Sequence, residues 1–334
     1  MSLDADAIVD RRRMRRKLTF WRVSALLIAL LALVGLAAAL VPANRLLVPG
    51  NYIARIKVQG LIRGNQDRVE ALERLAKSRA RAVIVHIDSP GGTTAGSQQL
   101  YDSLRALQAK KPMVVVVDGV AASGAYIAAI SADHIIAQDT SLVGSIGVLF
   151  QYPNFTQVLK TIGIQMEEIK SSPLKAAPNG FEPTSPEARA AINAIVVDSY
   201  AWFKGLVKDR RKMDDAQLAA VDDGRVFTGR QGVGLRLVDG LGNEKTALAW
   251  LEKEKKVPAS TPVRDVSLEP RFSELSFLHV AAWTFEAVGL SAVAHRIEAW
   301  SAVQAIERLN LDGLLALWHP PTANCPRIEV RRPQ

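Results

Sequence analysis

Four consecutive valines, Val114 to Val117, constrain this chain more than any other stretch. A strand turns successive side chains to opposite faces, so an unbroken apolar run must be buried on both. A sheet covered on both faces belongs to an α/β architecture, whose parallel strands are joined by helical crossovers. The flanking sequence agrees. Residues 52–58 and 82–87 read as strands, and residues 134–137 and 142–148 as shorter ones. Between them Val69, Leu72 and Leu75 keep helical spacing. Residues 97–109 and the small apolar stretch 121–131 read as helices. Residues 185–209 carry a long amphipathic pattern opened by Ser185, Pro186 and Glu187, a cap and first turn. The expected fold is α/β with a mostly parallel sheet.

Upstream, residues 23–41 form nineteen positions without a charge, Ser24 being the one polar side chain. As a helix rising 1.5 Å per residue this run spans about 28 Å, close to the ~30 Å hydrocarbon core of a bilayer. Phe20 and Trp21 stand where an interfacial belt belongs, Arg22 can snorkel, and Pro42 stops the helix. Arg11, Arg12, Arg13, Arg15, Arg16 and Lys17 precede the run and only Arg45 closely follows it, which keeps the N-terminus cytoplasmic. A cleaved signal has a shorter apolar core ending at a small-x-small site, so an uncleaved anchor is expected. The chain then divides into a basic segment 1–22, a transmembrane anchor 23–41, a catalytic domain 51–258 and a helical extension 259–334. In that extension, residues 276–287 and 292–309 read as apolar helices, ending in Leu314, Leu315, Ala316, Leu317 and Trp318. None is long enough for a second span.

The net charge of +9 is concentrated before the anchor and at Arg327, Arg331 and Arg332. With no basic stretch interleaved with aromatics in mid-chain, nucleic acid is not an expected partner. The single Cys325 excludes an intramolecular disulfide framework and a cysteine-rich metal site. Five histidines, without HExxH or a ligand-spaced pair, argue against a zinc hydrolase.

Three clusters of small residues follow strand-like segments, where α/β proteins place their sites. The first runs from Asp88 through Ser89, Pro90 and Gly91 to Gly92. The second, Asp118 to Ala125, sets Ser123 between Ala122 and Gly124 at a strand-to-helix junction. The N–H that follows Ser123 lies at the positive end of a helix, where an oxyanion is stabilised; taken alone, Ser123 reads more readily as an ordinary helix cap. The third, Leu142 to Val148, contains Gly144, Ser145, Ile146 and Gly147, and its glycines suit a close backbone approach by a substrate strand. His86 and His134 sit inside strand-like runs, which suits structural roles, so a lysine is the remaining candidate for a base. A lysine base must be neutral, which burial achieves by lowering a lysine pKa from ~10.4 toward about 7–8, a cost on the order of 4 kcal/mol. Lys170 and Lys175 are the candidates. The match of Ser172 and Lys175 to an SxxK pattern is discounted, because its SDN and KTG partners are absent and Pro173 and Pro178 crowd the segment.

From about residue 53 to residue 251 the chain resembles the signal peptide peptidase A family, membrane-bound Ser/Lys proteases with a fold like the Clp protease subunit and the crotonases. The likeness rests on Asp88–Gly92, Ala122–Gly124, Gly144–Val148, the lysine segment, Asp223–Gly229 and Gly234–Asp239. It implies Ser123 as nucleophile, Lys175 as general base and Ser145 as the residue that orients the lysine. It further implies the N–H groups of Gly92 and Gly124 as oxyanion donors, with Gly91, Gly144, Ile146 and Gly147 along an extended peptide. The family commonly has an aromatic residue before the base, where this chain has Leu174. Membrane-associated peptides such as remnant signal peptides, and a ring-like homo-oligomer, are the implied partners, with the domain on the periplasmic face of a bacterial inner membrane. No metal or cofactor is implied. The rival readings are a catalytically silent membrane scaffold and a crotonase-type acyl-CoA enzyme.

Overall fold

A computed structural model of the chain describes residues 17–24, 26, 50–268 and 314–317. Residues 17–24 are helical, with Phe20 and Trp21 edge to face at 6.2 Å. Among the described residues no helix is long and apolar enough to cross a membrane. Most of the expected anchor at 23–41, and the stretches 276–287 and 292–309, lie outside the described residues.

The unit beginning at Asn51 runs β1 (Tyr52–Ile62), α1 (Gln66–Ala76), β2 (Ala80–Thr93), α2 (Thr94–Gln108), β3 (Met113–Ala122), α3 (Gly124–Ala129) and β4 (His134–Ala137). It continues with β5 (Leu142–Gly144), β6 (Leu149–Phe150), α4 (Thr156–Thr161), α5 (Pro186–Arg211) and α6 (Asp215–Ala219). Then come β7 (Val226–Thr228), α7 (Gly229–Gly234), β8 (Gly240–Leu241), α8 (Glu244–Lys255), β9 (Val263–Asp265) and β10 (Leu314–Leu317). The ten strands described form one sheet. The pairs β1–β2, β2–β3, β3–β4, β3–β5, β4–β8 and β1–β9 are parallel, while β5–β7, β10–β2 and β10–β6 are antiparallel.

The valine run does what its pattern requires. Val115 and Val117 pack with Val83, Val85, Ile87 and Phe203 in the larger core, beneath α1, α2, α3 and α5. Val114 and Val116 face the other way, against Ile84, Ala247 and Leu251 under α8. All four valines are buried, and burying a side chain of this size contributes about 1.5–3 kcal/mol over leaving it exposed. The expected cap also forms, since Ser185 accepts a hydrogen bond from the Ala188 N–H at 3.1 Å and Pro186 begins α5.

Two expectations are corrected. The Asp88–Gly92 cluster is not a turn after a strand, because β2 runs through it to Thr93. Gly92 makes this possible: a Cβ there would lie 1.8 Å from the carbonyl oxygen of Ile62, so only glycine lets β1 and β2 stay in register. Residues 142–148 are not one strand. Gly144 (φ 98°) and Ser145 (φ 51°) leave extended geometry, ending β5 and starting β6 only at Leu149. Two pieces of the 259–334 extension, β9 and β10, join the sheet.

Both strand histidines have structural partners. His86 sits between Asp118 (Nδ1 to Oδ2, 2.9 Å) and Glu244 (Nε2 to Oε2, 2.8 Å), while Arg55 bridges Glu244 at 2.8 Å and Asp265 at 3.1 Å. This ties β1, β2, β3, β9 and α8 together. Burial pushes the Glu244 carboxyl up, but hydrogen bonds and charge from Arg55 and His86 outweigh it and hold the group below its ordinary value. His134 stacks on Trp250 at 4.7 Å.

Candidate functional site

Ser123 ends β3 and caps α3 with φ 54° and ψ −118°, backbone angles that a non-glycine residue avoids. Such a conformation costs about 1–3 kcal/mol and persists only where its surroundings enforce it. Here they do. The Ser123 N–H donates to the Gly144 carbonyl at 2.8 Å, and Ala122 pairs with Gly144 across β3 and β5. The Ser123 Oγ donates to the Gly147 carbonyl at 3.3 Å, and the side chain is 1% exposed. Its chain neighbours Ala121, Ala122, Gly124 and Ala125 are all small.

The second serine is shaped the same way. Ser145 has φ 51°, its N–H donates to the Arg225 carbonyl at 2.8 Å, and it is buried. Gly144 brings β5 against β7, where a Cβ would meet the Phe227 ring at 3.1 Å. Ser123 and Ser145 are therefore fixed relative to each other by β3, β5 and β7, and the run from Ser145 to Gly147 passes the Ser123 hydroxyl.

The glycine donors divide. Gly91 (φ 104°) donates its N–H to Ser89 Oγ at 3.1 Å, which in turn donates to the Gly60 carbonyl at 2.6 Å. Gly92 lies one residue further along β2. Gly124 opens α3, so its N–H is a first-turn donor that the helix cannot satisfy itself. A cavity of about 340 Å³ lies along the Ser145–Gly147 run, lined in part by Ser145, Ile146, Gly147, Val196, Val197 and Tyr200. It is apolar on the α5 side, with Asp222 and Asp223 at its rim. The importance of α5 as a pocket wall was not evident from its sequence, although the outward Val196 and Val197 break its polar face.

The two lysines stand apart from this centre. Lys170 is ion-paired to Glu168 at 2.6 Å and to Glu182. Hydrogen bonds to Glu168 and then Glu182 push its pKa up, away from the neutral form a base needs. Lys175 lies in a turn closed by its own N–H to the Ser172 carbonyl at 3.0 Å, and it is exposed. Among the described residues its ammonium has no hydrogen-bond or ion-pair partner, so it is bonded to neither Ser123 nor Ser145 in the single chain. The surrounding segment exposes Ile162, Ile164, Met166, Ile169, Leu174 and Phe181. Among the described residues no group of three or more His, Cys, Asp or Glu side chains could hold a metal ion.

Comparison with known proteins places this geometry. The family description "Peptidase family S49" matches residues 105–258, and "Clp protease" matches residues 63–143. A protein of Synechocystis that carries the name of a protease is 35% identical over 200 residues, covering 59% of this chain and 72% of that protein. Protease 4 of Haemophilus influenzae is 28% identical, covering 66% of this chain but 37% of its own length. The chloroplastic serine protease SPPA of Arabidopsis thaliana is 28% identical, with 66% of this chain and 33% of that protein aligned. This chain thus spans most of the first relative and about a third of each of the other two. The matched regions contain Ser123 and Lys175, and the Clp-protease-like α/β fold with a mostly parallel sheet agrees with the strand order seen here.

Proposed function

The chain belongs to peptidase family S49, the family of signal peptide peptidase A, and from that premise we propose that it is a membrane-anchored serine endopeptidase with a Ser123/Lys175 dyad. The observation that carries this reading is the strained, fully enclosed Ser123 at a strand-to-helix junction, its hydroxyl bonded to the carbonyl of Gly147, a residue that lines a cavity. A buried hydroxyl held at such angles is expensive unless it serves chemistry.

Neutral Lys175 removes the proton from the Ser123 hydroxyl, whose oxygen attacks the peptide carbonyl carbon. The Gly92 and Gly124 N–H groups hold the resulting oxyanion; Gly91 is less suited because its N–H is engaged by Ser89. The Lys175 ammonium then protonates the leaving amine as the C–N bond breaks. Water attacks the acyl-serine, giving a proton to Lys175, and the Ser123 hydroxyl is restored. Ser145 orients the lysine amine. Lys170, held by two carboxylates, is left as a structural residue.

This mechanism needs Lys175 to approach Ser123 and to lose water. We place that step in a ring-like homo-oligomer, in which the exposed apolar segment around Lys175 is covered by a neighbouring copy and the lysine completes a dyad there. Covering an amine with apolar surface favours its neutral form. The anchor at 23–41 holds the domain on the periplasmic face of the inner membrane, beside membrane-associated peptides such as remnant signal peptides.

The test is labelling of the detergent-solubilised full chain with a fluorophosphonate. Wild type and Lys170→Ala should label at Ser123, while Lys175→Ala should slow labelling by about 100-fold or more, as loss of a general base does. Labelling and peptide hydrolysis that survive in Ser123→Ala would refute the mechanism, while silence in every sample, wild type included, would leave the scaffold reading.

A further inference from the structure

The segment that carries Lys175 is closed on itself through one side chain. A carboxamide has two donor hydrogens and two acceptor lone pairs, and Asn179 uses all four. Its Oδ1 accepts the N–H groups of Phe181 at 2.9 Å and Glu182 at 3.1 Å. Its Nδ2 donates to the carboxylates of Glu182 at 3.0 Å and Glu168 at 3.2 Å. The first pair of bonds makes a turn of the kind asparagine forms with the backbone that follows it. The second pair does more. Glu168 lies 11 positions before Asn179, so this bond joins the two ends of a loop with Lys175 between them.

Inside the loop little else holds. Every residue from Ser171 to Ala176 is exposed, and the backbone bonds are local, from Lys175 N–H to the Ser172 carbonyl at 3.0 Å and from Ala177 N–H to the Leu174 carbonyl at 3.3 Å. Beyond Asn179 the chain is anchored again: the Phe155 N–H donates to the Gly180 carbonyl at 2.7 Å, and the Phe155 and Phe181 rings stack at 6.3 Å. The firm end of the loop is therefore 179–182, and Asn179 fastens the other end, at Glu168, to it. Lys170 also spans Glu168 and Glu182. Among the described residues its ammonium bonds to side chains alone, whereas Asn179 ties side chains to backbone.

We propose that Asn179 is a positioning residue for the general base: by clasping Glu168 to Glu182 it keeps the loop closed and presents Lys175 in one arrangement to the serine it serves. The inference rests on the dyad reading above and goes beyond it, since Asn179 bonds to neither Lys175 nor Ser123 and acts through where the lysine stands. A general base works within hydrogen-bond reach of the proton it takes, and a misplacement of about 1 Å can cost about 100-fold in rate. A loop with joined ends has fewer arrangements than an open one. Opening the clasp spreads Lys175 over positions from which it cannot serve.

The test is a double-mutant cycle in the detergent-solubilised full chain, read by the rate of fluorophosphonate labelling at Ser123. Asn179→Ala should slow labelling by about ten-fold or more. It should lower kcat for a short leucine- and alanine-rich peptide with KM unchanged, the pattern of an interaction made only in the transition state. Amide exchange over 168–182 should rise while 113–117 stays protected, which also shows that the domain remains folded. In a Lys175→Ala background the same change should slow labelling no further, because positioning has no base left to act on. Asn179→Asp sets a third carboxylate against Glu168 and Glu182 and should slow labelling too; Asn179→Asp/Glu182→Gln, in which an amide again faces a carboxylate, should recover most of that loss. Labelling of Asn179→Ala at the wild-type rate would overturn the proposal. A slowing of equal size in both backgrounds would overturn it as well, since Asn179 would then act on the site without the lysine. If wild type fails to label, the dyad reading fails and the positioning role with it, while the exchange result still decides whether Asn179 closes the loop.

Discussion

The body of the sheet and the segment 151–184 solve opposite problems. Around Ser123 the backbone is anchored by the sheet: β3, β5 and β7 lock two serines at positive φ, and the residues behind them are fully buried. Around Lys175 the chain turns on itself by local bonds, and Val158, Ile162, Ile164, Met166, Ile169 and Leu174 face outward. A run of exposed apolar side chains of this kind marks a surface that something else covers. Under the proposed mechanism, the difference is that the nucleophile is built from the chain's own core while the general base waits on an assembly.

The largest effect should come from Gly92→Ala. Its Cβ would sit 1.8 Å from the Ile62 carbonyl oxygen, so β1 and β2 must separate at the site. Loss of more than about 4 kcal/mol is expected, seen as failure to give a cooperative melt. Next, Phe203→Ala in the enclosed core should lower stability by about 3–5 kcal/mol in denaturant unfolding. Val158→Ser in the outer segment should instead stay within about 0.5 kcal/mol and weaken self-association measured by sedimentation. Equal costs for the two would break the distinction between body and segment.

A smaller effect should follow acidification. The Glu244 carboxyl is held below its ordinary value by Arg55 and His86, so its contribution is fully present above the unfolded pKa of about 4.5 and is lost as pH falls through the lower folded value. The melting temperature of wild type should drop through that acid range, and Glu244→Gln should flatten this dependence. The least effect belongs to Lys170→Ala, whose exposed ion pairs should leave hydrolysis within about two-fold of wild type.

Much of the body was legible because its signals are local. Val114 to Val117 is a β-branched run flanked by Pro112 and Gly119, which favours an interior strand, and Ser185 with Pro186 marks the start of α5 directly. The misread parts depend on distant partners. That β2 continues through Gly91 and Gly92 depends on the approach of Ile62, and that residues 142–148 split depends on Ser145 bonding to Arg225. A four-residue apolar run such as Leu314 to Leu317 cannot be told from a helix end by periodicity, so its place between β2 and β6 emerged only from the pairing. At the site, the residue types of Ser123 and Ser145 could be read from motifs, but their strained backbones and the exposure of Lys175 could not.

The most direct test of the division between body and outer segment is to co-assemble the full-length Ser123→Ala and Lys175→Ala proteins, each inactive alone, and measure peptide hydrolysis. If the dyad forms between copies, random mixing in a closed ring restores a serine beside a lysine at about a quarter of the sites, and activity should return to roughly that fraction of wild type. Co-assembly without any recovery would contradict the account, because it would require Lys175 to serve the Ser123 of its own chain.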